Sequence, residues 1–240
     1  MRTAGLVAAS VVVAAGVIAL TDPTQVKPIA RALGIGQPHR LLPEVFPAVD
    51  SADYSILHTD QAGDPVTYDP CKPLKYVVNP AGAPVNYLSF IEPAIQKVQK
   101  ASGLKFVYVG LSGDTWQTRR SAEVGEPILI SFPNSLDRSV AQADTVGLGG
   151  STEVSVAGIV QPHYLTGSVS LLSSWFNEES SIGATAAEES VVMHELGHVL
   201  GLGHVQHRDE VMYPTTHGQM DFGIGDLAGL ARLGAGRCED

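Results

Sequence analysis

The segment His194-Glu195-Leu196-Gly197-His198-Val199-Leu200-Gly201-Leu202-Gly203-His204 constrains the fold of this chain more than any other. His194 and His198 stand four apart within an apolar-periodic run that begins near Thr185, so a helix there projects both imidazoles from one face. Val191, Val192, Leu196, Val199 and Leu200 supply the helix's buried contacts, and Thr185 with Glu188 reads as a T-x-x-E capping box at its start. Gly201 permits a backbone turn that is unfavourable for other residues, which predicts the helix end and lets His204 swing back toward the pair. Helix, glycine turn and return segment must therefore be built around one point.

That point has the donors of a metal site. Two imidazoles from the helix and one from the return can each place a nitrogen about 2.0–2.1 Å from one Zn²⁺. Three neutral histidines leave one coordination position open, which separates a catalytic zinc from a closed structural one. Glu195 is next to His194 but outside the ligand set. It is placed to hold a water at the open position, take its proton and later deliver a proton to a leaving amine. The full H-E-x-x-H-x-x-G-x-x-H pattern is far more specific than a bare H-E-x-x-H.

Eight residues beyond His204 comes Met212, within Val211-Met212-Tyr213-Pro214. Together the two motifs resemble the metzincin zinc peptidases, and Met-Tyr-Pro at this spacing is most similar to their matrixin branch. Asp226-Leu227-Ala228-Gly229-Leu230 also resembles that family's C-terminal helix, in which an aspartate supports the methionine turn. The close resemblance covers roughly Val191 to Leu233; upstream, only the order strand–helix–strands is compatible.

The resemblance implies an α+β, metzincin-like domain: a mixed twisted sheet, an active-site helix and a C-terminal helix. It implies a zinc endopeptidase with His194, His198 and His204 holding one catalytic ion, Glu195 as general base, and protein or peptide as substrate. Gly201, Met212, Pro214 and Asp226 would support the site, Met212 as a packing floor beneath the metal. Pro214 stands where astacin- and serralysin-type relatives place a tyrosine, which argues against a tyrosine ligand. Tyr213 to His217 would wall the pocket for the side chain after the cleaved bond.

The chain departs from the family pattern in two respects. Asp69-Pro70-Cys71-Lys72-Pro73 stands in place of a Pro-Arg-Cys-Gly cysteine switch. The structural metals of animal matrixins have no evident counterpart. His163 stands alone, His207 falls after the turn, and His39, His58 and His217 carry no motif.

The N-terminus bears on the cysteines. Met1-Arg2 precedes an uncharged Ala- and Val-rich stretch, Ala4 to Leu20, which reads as a secretory signal or an uncleaved membrane anchor. Ala15 and Ala19, each with a valine two residues before it, are alternative cleavage points. Either reading exports the rest of the chain. In an oxidising compartment Cys71 and Cys238 most simply form one disulfide, two free buried thiols being the alternative.

Residues 1–20 thus form the signal or anchor, and 21–53 a proline-punctuated linker or short pro-segment (Pro23, Pro28, Pro38, Pro43, Pro47). Residues 54–240 form the catalytic domain. Within the domain, Tyr54–Leu57 and Val66–Tyr68 flank a turn at Gln61–Asp64, as in a hairpin. Lys75–Asn79, Leu104–Val109 and Ile128–Phe132 predict strands, and Tyr87–Ala101 a helix limited at its start by Pro93. Tyr164–Leu171 alternates as a half-buried strand suited to a sheet edge; it and Gly147–Val156 are the candidates for pairing with an extended substrate. Asp226–Leu233 predicts a helix with Leu227, Leu230 and Leu233 inward. A net charge of −10 and the lack of a basic run exclude a nucleic-acid footprint. A secreted or surface zinc-fold binding protein with little turnover remains the alternative, against which an intact Glu195 argues.

Overall fold

The computed structural model describes residues 38–119, 125–142, 144–156, 160–181, 185–215 and 219–238. The leader at 4–20, much of the 21–53 segment and His217 lie outside them. No helix among the described residues is long and apolar enough to cross a membrane.

Short apolar runs build a five-stranded mixed sheet: β2 (Leu74–Asn79), β3 (Phe106–Leu111), β4 (Ile128–Ser131), β5 (Gly147–Val156) and β6 (Val160–Leu171). Their order is β3-β2-β4-β6-β5, with all neighbours parallel except the antiparallel β5–β6 pair. Val77, Val78, Leu129 and Ile130 are all buried, as expected for central parallel strands covered on both faces. The two-residue β1 (Ser55–Ile56) pairs apart from this sheet with β7 (Leu202–Gly203).

Among the described residues, four helices complete the α+β domain: α1 (Leu88–Ser102), α2 (Ser173–Ser181), α3 (Thr185–Leu200) and α4 (Ile224–Gly234). Helix α1 turns Phe90, Ile91, Ala94, Ile95 and Val98 inward and ends at Gly103, whose φ of +68° places it in the left-handed region. Helix α3 packs against both α1 and β5, so its histidine motif sits beside the antiparallel edge of the sheet. Phe90, Phe132 and Phe176 meet edge to face or tilted, 5.5–6.4 Å apart, and join the sheet to α1 and α2.

Several expectations need correction. Tyr164–Leu171 falls within β6, which is an inner strand between β4 and β5; the edge is β5. Alternation reports which face each residue takes, not which strand lies alongside. The turn near Gly63 does close, with Thr59 bridging Pro65, but the strand before it pairs with β7 and Thr67 bridges His163. Glu188, read as the capping-box acid, also reaches a neighbouring helix. It is fully buried, accepts the Ser180 hydroxyl of α2, and has its carboxyl pKa raised by that burial. Leu227 faces outward at 38% exposure, whereas Leu230 and Leu233 are buried. The packed chain also begins before Tyr54: the Arg40 guanidinium donates to Gly234 O at 2.8 Å, and Leu41 N–H to Pro70 O at 3.1 Å.

Candidate metal centre

Helix α3 presents His194 and His198 one turn apart, and the chain then reverses at Gly201. Its φ of +113° is one that L side chains rarely adopt, and a Cβ there would meet Tyr164 Oη at 3.0 Å. The reversal starts β7 and returns His204 to the helix. The three Nε2 atoms lie 3.1 Å from one another.

The opposite side of two of these rings decides what the Nε2 atoms can do. His194 Nδ1 is 2.7 Å from Val211 O, and His198 Nδ1 is 2.7 Å from Leu202 O. A carbonyl only accepts, so each Nδ1 carries its ring's proton and each Nε2 turns a lone pair inward. Burial holds His194 down to about 3, with the neighbouring His198 adding to it, and holds His198 down to about 4. Burial lowers His204 as well. Neutral imidazoles with converging lone pairs repel one another unless a cation lies between them. Nitrogens at this spacing can each stand about 2.0–2.1 Å from one ion and leave a side open, a donor set suited to zinc.

Glu195 turns from the histidine face toward β5. It is 5% exposed, and burial raises its carboxyl to about 8 against the opposing hydrogen bond from Gly149 N–H. Two glycines make room for it. A Cβ on Gly147 would lie 2.5 Å from Glu195 Oε1, and one on Gly149 would lie 2.1 Å from the Glu195 carbonyl oxygen. These residues were not recognised in the sequence, although Gly147 and Gly149 alternate on one face of a strand, the pattern of close backbone approach.

Met212 is buried beneath α3, where a Cβ on Gly197 would lie 2.5 Å from its sulfur. Asp226, on the first turn of α4, accepts the Val211 N–H at 2.5 Å and the Met212 N–H at 3.3 Å. Pro214 follows on the exposed side of the turn. Among the other described histidines, His58 Nδ1 meets Tyr164 Oη at 3.0 Å, His163 Nδ1 meets Gln161 O at 2.9 Å, and His207 Nε2 lies 3.9 Å from Asp53. Cys71 and Cys238 form a disulfide, so neither thiol serves as a metal ligand.

The matrixin family model matches residues 87–233, more than half of the chain. This chain belongs to the matrixin family. It is similar to metalloendoproteinase 4-MMP of Arabidopsis thaliana, at 43% identity over 61 residues, 24% of this chain and 18% of that protein. Metalloendoproteinase 1-MMP of the same plant is 44% identical over 48 residues, 19% of this chain and 13% of the relative. The matches therefore span less than a fifth of either relative's length. Among solved structures, metalloproteinase-II of Bacteroides fragilis aligns with a TM-score of 0.34 at 14% identity, covering 80% of this chain and 56% of that one.

Proposed function

We propose that this matrixin is an exported zinc endopeptidase that hydrolyses internal bonds of protein or peptide substrates. What supports this reading is the convergence of three imidazole nitrogens, with the buried Glu195 next in sequence to His194. His194, His198 and His204 would hold the one ion. Zinc held there would supply Lewis acidity to the scissile carbonyl and to the attacking water. Glu195 would take the proton of the attacking water and return one to the leaving amine. An extended substrate can add to β5, the antiparallel edge of the sheet.

The decisive variant is Glu195→Ala, assayed with a peptide library on zinc-loaded protein. Zinc content should be unchanged while cleavage falls by at least about 100-fold. Equal cleavage by the variant would remove Glu195 from the chemistry. Zinc-loaded wild type that cleaves nothing in the library would favour the binding-protein alternative. Export is tested by mass spectrometry of the mature N-terminus. A start after Ala15 or Ala19 supports a cleaved signal, a retained leader in the membrane fraction supports an anchor, and cytoplasmic chain with free thiols overturns export.

A further inference from the structure

Glu210 stands two residues before Met212. In the fold it is 3% exposed. Its carboxylate accepts the N–H of Gly225 at 2.9 Å and the N–H of Asp226 at 2.7 Å, two groups of the first turn of α4 that have no partner within the helix. Asp226, itself 1% exposed, reciprocates by accepting the N–H groups of Val211, Met212 and Gly223. A carboxylate from the turn thus ties down the helix, while a carboxylate from the helix ties down the turn.

The reach of this clasp follows from peptide geometry. The Met212 N–H and the Val211 C=O are the two ends of one rigid planar group. Asp226 holds the N–H, and the C=O accepts the Nδ1–H of His194 at 2.7 Å. Any roll of that peptide would turn the His194 ring. A second observation shows that the chain is shaped around Glu210. Gly223 has an ordinary φ of −71°, so conformation does not demand glycine there. Space does: a Cβ would lie 2.4 Å from Glu210 Oε2 and 2.8 Å from Asp209 O. Burial, then the neighbouring Glu210 charge, raises the Asp226 carboxyl, and the backbone N–H donors oppose that rise.

We infer that Glu210 is a positioning residue of the metal centre: it fixes Asp226 against the Val211–Met212 peptide, whose carbonyl sets the tautomer and ring plane of His194. Outer partners of this kind govern metal affinity by about 10–100-fold. The inference rests on the zinc-peptidase reading, so the metal is measured separately from turnover. Glu210→Gln keeps the shape but turns an amide N–H toward one of the two backbone donors; Gly223→Ala keeps both carboxylates but displaces Glu210.

In the full chain, zinc affinity is measured by chelator competition, and ligand geometry by the visible spectrum of the cobalt-substituted protein. Ser180→Ala, which removes the donor to buried Glu188, serves as a destabilised control away from the clasp. Both clasp variants should bind zinc about 10–100-fold more weakly with a changed cobalt spectrum, and the control should not. Zinc affinity and spectrum within twofold of wild type in both variants would overturn the role. So would an equal loss in Ser180→Ala, which would trace the effect to general stability. Wild type that binds zinc but cleaves no peptide would sink the peptidase reading while leaving the metal measurements to judge Glu210.

Discussion

Glu195 and the histidines beside it pull the metal-free centre in opposite directions as pH changes. His194 and His198 have folded pKa values of about 3 and 4, below the 6.5 of an exposed imidazole. The unfolded chain therefore binds more protons in that interval, and their contribution to stability is lost as pH falls below about 6.5. Glu195 behaves oppositely. Its folded value of about 8 lies above the 4.5 it has when exposed, so its contribution is present at low pH and lost as pH rises toward 8. Chelator-treated protein should thus have its highest melting temperature near pH 6.5. Glu195→Gln should abolish much of the decline between pH 6.5 and 8 and leave the acid limb in place. Thermal melts of both proteins across pH 4–9 check this; an unchanged upper limb in the variant would count against the buried carboxyl.

The helix–turn–strand passage from α3 through Gly201 to β7 is the element on which the triad depends. Gly201→Ala places a Cβ 3.0 Å from Tyr164 Oη at a backbone angle of +113°. We expect a loss of about 1–3 kcal/mol in urea denaturation, with weaker zinc binding because His204 lies just beyond the turn. A full-affinity, fully stable Gly201→Ala would show that the reversal has another origin. This passage was legible in the sequence because its signals are local: apolar spacing, a histidine pair one turn apart and a glycine at the stop. Strands β2 and β4 were legible as continuous apolar runs. The inner place of β6 was not, since its alternating pattern is silent about its neighbours. Helix α2, Ser-Ser-Trp-Phe-Asn-Glu-Glu-Ser-Ser, lacks an apolar stripe and buries only Ser173 and Phe176, so no periodicity marked it. Glu210 was not legible there either, because its partners are backbone groups 15 and 16 residues away.

At the scale of the molecule, the two ends of α4 have separate duties. Its N-terminal turn holds the methionine turn, whereas its C-terminal end is bound into a staple. Cys238 is joined to Cys71 across 167 residues, Arg40 donates to Gly234 O, and Leu41 donates to Pro70 O beside Cys71. The 11 residues of α4 set these ends about 16 Å apart. Loss of the disulfide should therefore lower stability without loosening the metal. Cys71→Ser with Cys238→Ser should cost about 2–4 kcal/mol in urea, and zinc affinity of the folded protein should stay within about twofold. A chain beginning at Tyr54 loses the Arg40 and Leu41 contacts and should be destabilised by about 1–3 kcal/mol. Because Leu41 bonds the residue next to Cys71, the two losses share a locus, and the shortened double-serine chain should depart from additivity by about 0.5 kcal/mol or more. Strict additivity would mean that the Arg40 segment and the disulfide stabilise the domain independently, so that no single staple exists there.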